Sequence, residues 1–419
     1  MPKNKELDLA KYNLKIETIK RNNKRKTLIP FHVLDTIFCT TSKYMTIYLN
    51  DDVYYINEGP FIDGLSNAFS IRNSALNGKT QTDEFRNYTY NHMLFALDYY
   101  YGLKNYRNVD SYSSFIDKEI KDLILSNNAI ENCRGYSKLA YGTLGEMHTE
   151  ILGTSFYALL NKSINKDYVS KSDFNSNVRY YYESKAIYEK LFNESANWPS
   201  MNTDPVLIKD DLAIISLDNF SINSKEHNIQ GIPKRYEAYN IMQYALNKIE
   251  ENKNVKNIIL DLSRNRGGLV VSMYLTLSFL TNDPLEYVYV DLFKENTTTF
   301  TYTFDTNQDK NFNDNDSFDK YNWNILISPL SFSAGNLLPF IAKENNYATI
   351  LGQRSGGGMC TVNYLALADG TSLQISSTQE LRVRDKTNKL HKVEQGFSPN
   401  IKVDYNDFYN VDYYLNLLK

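Results

Sequence analysis

Apolar and polar positions along the chain change rhythm several times, and each change predicts a different kind of element. Residues 1–30 are charged and lysine-rich with few apolar positions, which predicts a solvated tail or a first helix. Residues 36–64, TIFCTTSKYMTIYLNDDVYYINEGPFIDG, are β-branched and aromatic but broken by Asp-Asp and Gly-Pro, the pattern of short strands. From about residue 85 to 147 the spacing is helical: Ile116, Ile120, Leu123 and Ile124 share a face opposite Asp, Glu and Lys. That region runs into YGTLGEMHTEILGTSFY, where His148 stands at or just past the end of a helical run. Residues 161–203 are polar and tyrosine-rich, a connector with one helix around 181–191.

After Pro205 strands and helices alternate. DLAIISLDNF predicts a strand, residues near 234–252 an amphipathic helix, and NIILDL a buried strand that enters the loop SRNRGG before the apolar helix LVVSMYLTLSFL. PLEYVYVDLF and TTTFTYTF predict two more strands, and residues 307–319 an Asn/Asp-rich surface loop. A strand, loop and helix follow in ILISPLSFSAGNLLPFIAK, then YATILGQ, the glycine-rich RSGGG, and the strand-like SLQISS and QELRVR. Such alternation argues for crossover units around a mainly parallel or mixed sheet, hence a mixed α/β (α+β) fold. The expected organisation is a tail and small β-containing unit over 1–84, a helical segment and connector over 85–203, and an α/β core over 204–419.

Composition narrows the function classes. With 42% hydrophobic and 23% charged residues the chain can bury cores and keep a solvated surface. A formal net charge of -3 gives no field suited to nucleic acid, so none is expected as a partner. Cys39, Cys133 and Cys360 lie far apart without metal-ligand spacing, so neither a disulfide framework nor a metal site is expected, and no cofactor. No segment has the roughly 18 uninterrupted apolar residues of a membrane span. The basic N-terminus lacks the apolar run of an intact leader; the expected location is cytoplasmic as written, or exported if a leader has been removed.

Ligands of open α/β sheets bind at loops after the carboxyl ends of strands, and two loops qualify: 263–268 and 329–336. In the second, Ser331 and Ser333 precede a helix, where a serine is as suited to capping as to nucleophilic attack. In the first, Gly267 and Gly268 offer backbone amides unobstructed by side chains, as an oxyanion hole requires, though paired glycines also mark ordinary turns. A serine nucleophile needs a base, and the five histidines are His32, His92, His148, His227 and His391.

Four segments in order, LGEMHTEI, NIILDLSRNRGG, SPLSFSAGN and VEQGFSPNIKV, resemble the catalytic core of the carboxy-terminal processing (tail-specific) and tricorn-core serine proteases. The likeness spans roughly 140–405 and leaves out about the first 80 residues. It implies a ClpP/crotonase-like α/β core and a peptide or protein substrate. One branch of the family uses a lysine base in a glycine-bounded loop after the nucleophile segment. Here that loop reads GQRSGGGMC, with glycine where the lysine would fall. The resemblance to the histidine-dependent branch therefore implies Ser333 as nucleophile, His148 as general base, Glu394 as the carboxylate that supports the imidazole, and Ala334 with Gly267 or Gly268 as oxyanion donors, Gly267 first. Glu146, Met147, Ser263 and Asn400 depart from the family pattern. The interval 161–203 is too short for the PDZ module of most processing proteases, and none is expected there.

Two other readings carry distinct expectations. An inactive relative would bind a peptide or hydrophobic ligand on the same fold, and would have no need for these residues together. An α/β-hydrolase-like esterase would use Ser333, Asp385 and His391, although SFSAG only partly matches Gly-x-Ser-x-Gly.

Overall fold

Two runs, Leu212–Ser216 and Asn257–Asp261, are buried at all five positions, so both of their faces must be covered. In the computed structural model, which describes residues 6–40, 45–51, 53–59, 76–159, 170–195, 197–220 and 238–419, they are neighbouring parallel strands inside a six-stranded sheet. Asn322–Ile327 pairs parallel to Asn257–Asp261 on the other side, followed by Thr349–Gly352 and the short Ile401–Lys402. Val206–Lys209 closes the opposite edge antiparallel to Leu212–Ser216. The mixed α/β class expected from the alternation is therefore present.

The chain forms two units. One, the helical unit, comprises the described parts of Met1–Arg179 with Asp291–Asn296 and Cys360–Glu380; the other, the sheet unit, comprises those of Tyr180–Val290, Thr297–Met359 and Leu381–Lys419.

In the sheet unit, helix Ala238–Glu250 buries Ala238, Ile241, Met242, Ala245, Leu246 and Ile249, a three-and-four spacing that turns one face to the core. Its expected start near residue 234 lies outside the described residues. Val270–Leu277 and Ala334–Glu344 pack into the same core, the latter buried without a break from Ala334 to Ala342. The register Leu326↔Asp261 brings two carboxyl-terminal loops side by side, and the Leu262 amide donates to the Leu326 carbonyl at 2.9 Å.

In the helical unit, Asp83–Tyr100 is capped by Thr82, whose side chain accepts from the Phe85 amide. Its buried face gathers Met93, Leu94, Phe95 and Leu97 into a core with Ile120, Ile124, Leu139 and Leu144. Lys138–Leu144 ends at Gly145, in the left-handed region at φ 43°. A Cβ there would lie 1.7 Å from Asn175 Nδ2, so glycine lets the chain turn into Glu146, Met147 and His148 without displacing the Asn175 side chain. Strand Glu150–Gly153 then pairs with Ser372–Gln374, which also pairs with Cys360–Ala366.

Two expectations are revised. Residues 17–28 form neither tail nor helix but a hairpin, Glu17–Arg21 with Lys24–Leu28. Asn22 and Asn23 supply the two positive φ angles, 51° and 60°, that a two-residue turn needs. The segments SLQISS and QELRVR are one strand, Ser372–Arg384.

Candidate active site

The site in the sheet unit is built from its two adjacent loops. Asp261, the last residue of its strand, accepts from the Ser263 amide at 2.8 Å and from Trp198 Nε1 at 2.7 Å, which fixes where the first loop departs. Burial raises the Asp261 carboxyl above its ordinary pKa, while the Ser263 and Trp198 bonds oppose that shift. Arg264 turns outward, paired with Asp218 at 2.8 Å and lying 3.4 Å over the Phe192 ring. Asn265 turns inward: its side-chain nitrogen donates to the Leu217 carbonyl at 2.9 Å, its Oδ1 accepts from the Gly267 amide at 2.8 Å, and its backbone carbonyl accepts from the Phe332 amide at 3.1 Å. One asparagine thus ties the glycine loop to the serine loop.

The two serines separate cleanly. Ser331 is fully buried, its Oγ donates to the Leu262 carbonyl at 2.7 Å and accepts from the Ser328 amide at 3.0 Å, so its hydroxyl holds the loops together. Ser333 is partly exposed and occupies the N-cap position of Ala334–Glu344, yet its side chain makes no capping hydrogen bond. Its backbone stands at φ 56°, ψ -125°, a conformation that costs a residue with a Cβ about 1–3 kcal/mol. The Ser333 amide is tied to the Gly357 carbonyl at 2.8 Å, and the Ser331 carbonyl to the Gly356 amide at 2.9 Å. The glycine-rich RSGGG therefore braces the serine loop.

Gly267, at φ 97°, lies directly against the serine: a Cβ there would sit 2.8 Å from Ser333 Cβ and 2.9 Å from the Ala334 nitrogen. Its own amide is taken by Asn265. Among the described residues, the amides of Gly268 and Ala334 donate to no protein acceptor. Glu394 is partly exposed in the same unit, its Oε2 accepting from the Met359 amide at 2.9 Å and its carbonyl from the Gly358 amide at 2.9 Å. Asn336 Nδ2 reaches the adjacent Val393 carbonyl at 3.3 Å. Ser333, Ala334, Gly267, Gly268 and Glu394 thus all belong to one unit.

His148 belongs to the helical unit. It is buried, with Nδ1 3.2 Å from Ser376 Oγ, and its carbonyl accepts from Gln374 Nε2 at 2.8 Å. Glu146, two residues earlier, accepts from the His148 amide at 2.6 Å and from the Thr149 hydroxyl. Burial lowers the imidazole below its ordinary pKa, and the Glu146 charge partly restores it. Sequence reasoning noted Glu146 only as a departure from a pattern and missed Ser376, far along the chain. It also missed Asn265, although Asn two residues before a glycine is a turn signal.

The remaining histidines sort by position. His32 and His92 lie in the helical core, where burial lowers their pKa to about 4 and about 3. His227 lies outside the described residues. His391 does pair with Asp385, Nε2 to Oδ2 at 2.6 Å, but its ring packs on Phe340 at 6.2 Å and its Nε2 is 3.8 Å from Glu344. Phe340 is two helical turns beyond Ser333, about 10 Å along the axis at about 1.5 Å per residue. His391 is therefore badly placed to serve that serine.

At the carboxyl ends of parallel strands the structure thus sets a strained serine, whose hydroxyl does not cap its helix, close to two backbone amides that donate to no protein acceptor among the described residues. Residues 211–403 match the model of peptidase family S41. It is 29% identical over 156 residues to the nisin-resistance protein of Lactococcus lactis subsp. lactis, covering 36% of this chain and 47% of that protein. The chain thus spans about half the length of this relative. Among solved structures, a protein of Parabacteroides merdae provisionally assigned as a peptidase shares its fold with a TM-score of 0.51 and 15% identity, covering 81% of this chain and 97% of that one. A photosystem II D1 C-terminal processing protease aligns at a TM-score of 0.34 and 18% identity over 46% of this chain and 42% of its own.

Among the described residues no helix is long and apolar enough to cross a membrane.

Proposed function

We propose that the chain hydrolyses peptide bonds of a peptide or protein substrate through Ser333, His148 and Glu394. The observation that carries this reading is Ser333 itself: strained backbone, partial exposure and a hydroxyl not spent on capping its helix. His148 takes the hydroxyl proton as Ser333 Oγ attacks the scissile carbonyl, then returns it to the leaving amine; water repeats the cycle on the acyl-enzyme. The oxyanion is assigned to the Ala334 and Gly268 amides, because the Gly267 amide already serves Asn265. Glu394 supplies the negative charge that supports the imidazolium. Ser376 acts as a positioning residue: accepting from Nδ1–H, it selects the tautomer whose Nε2 can receive a proton.

The proposal is tested by hydrolysis of an unstructured protein or a peptide library. His148→Gln is expected to abolish turnover. Ser376→Ala is expected to lower kcat by about tenfold or more with little change in KM, and Ser376→Thr to recover part of the loss. Because burial lowers the His148 pKa, the acid limb of kcat/KM should fall below the ordinary imidazole value of about 6.5, with activity lost only as pH drops through that lowered value. Undiminished kcat in His148→Gln would exclude this mechanism.

A further inference from the structure

The sheet unit holds a second cluster that this chemistry does not use. His391 Nε2, Asp385 Oδ2 and Glu344 Oε2 each offer one ligand atom, all within 4.8 Å of one another. His391 and Asp385 come from the hairpin in which His391 pairs with Val383 and Leu390 with Arg384, and Glu344 is the last residue of the helix that Ser333 opens. We propose that these three side chains bind a divalent transition-metal ion of the zinc type.

The donor set suits such an ion: one imidazole nitrogen and two carboxylate oxygens, whose two negative charges balance the metal's two positive ones. Tetrahedral ligands with bonds of about 2.0 Å lie roughly 3.3 Å apart. The observed separations of 2.6 Å for His391–Asp385 and 3.8 Å for His391–Glu344 bracket that value. A fourth position is left to water. The supporting groups are in place as well: Asp385 Oδ1 accepts from the Thr387 amide at 2.8 Å, the Thr387 hydroxyl at 2.7 Å and the Lys389 amide at 3.0 Å. That commits Oδ1 and turns Oδ2 toward the imidazole, the kind of outer support that orients metal ligands. The edge of Phe340 limits the ring's swing on the other side.

An ion here clips the far end of the nucleophile helix to the hairpin. His391 lies three residues before Glu394, so the clip steadies both the helix that starts at the nucleophile and the segment that bears the carboxylate. It is a structural ion, remote from the reacting bond.

Isothermal titration of the metal-stripped full chain with zinc chloride tests the site, with thermal unfolding measured alongside. One ion per chain should bind and raise the melting temperature. His391→Ala and Glu344→Gln should each weaken zinc affinity at least tenfold and remove the thermal shift. Asp319→Asn, in the exposed loop, should do neither. Far-UV circular dichroism checks that the variants are folded, and the milder Glu344→Gln stands if His391→Ala is not. Absence of zinc binding by the stripped wild type, or equal affinity in Glu344→Gln, would overturn the proposal.

Discussion

A Ser333→Ala variant is expected to keep the wild-type melting temperature and to lose at least about a thousandfold in kcat for peptide hydrolysis. The stability half of that expectation follows from the missing cap: the hydroxyl contributes no bond to the helix end, so deleting it leaves no group unsatisfied there. Ser331→Ala should behave in the opposite way. Its hydroxyl bonds the Leu262 carbonyl and the Ser328 amide in a site with no solvent, and losing both should cost about 1–3 kcal/mol of stability while most turnover survives. Steady-state kinetics and thermal melts on the two variants separate the roles. A Ser331→Ala enzyme that melts normally but is inactive, beside an active Ser333→Ala, would reverse them.

Gly267→Ala should nearly match Ser333→Ala in effect while leaving every proposed catalytic group present. The added methyl would meet Ser333 Cβ at 2.8 Å, the Ala334 nitrogen at 2.9 Å and the Phe332 carbonyl at 2.9 Å, on a backbone at φ 97° that alanine rarely adopts. Two of the three obstacles are backbone atoms and cannot swing away. The loop must move, and with it Ser333 and the Ala334 amide, the proposed nucleophile and oxyanion donor. A displacement of about 1 Å in such a site costs about a hundredfold in rate, and kcat is expected to fall by that much or more. Strain should also lower stability by about 1–3 kcal/mol. Kinetics and denaturant melts would register both losses, and normal kcat in Gly267→Ala would show that the glycine does not abut a working nucleophile.

The sheet was legible because its central strands are apolar on both faces. NIILD and LAIIS admit no amphipathic reading, and the loops that follow them are where glycine and serine gather. The N-terminal hairpin was hidden because its strands are almost wholly solvated, so no apolar alternation marks them; only the Asn22–Asn23 turn carried a signal. The polar run Ser-Thr-Gln-Glu made one long strand look like two. Its middle is nevertheless buried, with Ser376, Ser377 and Glu380 all shielded.

At the site, motif order selected Ser333, but local sequence could not separate it from Ser331, since either could cap a helix. What separates them is three-dimensional: Ser331 faces a carbonyl from a different strand's loop, and Ser333 is bent away from its own helix. That the Gly267 amide is already engaged was equally closed to sequence, because its acceptor is the Asn265 side chain folding back two residues. Ser376 had no local signature at all. Its proposed role rests on the pairing of strand Glu150–Gly153 with Ser372–Gln374, which brings a distant serine beside His148.

The central claim is that Ser333 is an activated nucleophile, and covalent labelling tests it most directly. A fluorophosphonate probe incubated with the wild-type chain, followed by proteolysis and mass spectrometry, should place the adduct on Ser333. Labelling should survive Ser331→Ala and be lost in Ser333→Ala and His148→Gln. An adduct on Ser331, or labelling of Ser333 that persists undiminished in His148→Gln, would contradict the account.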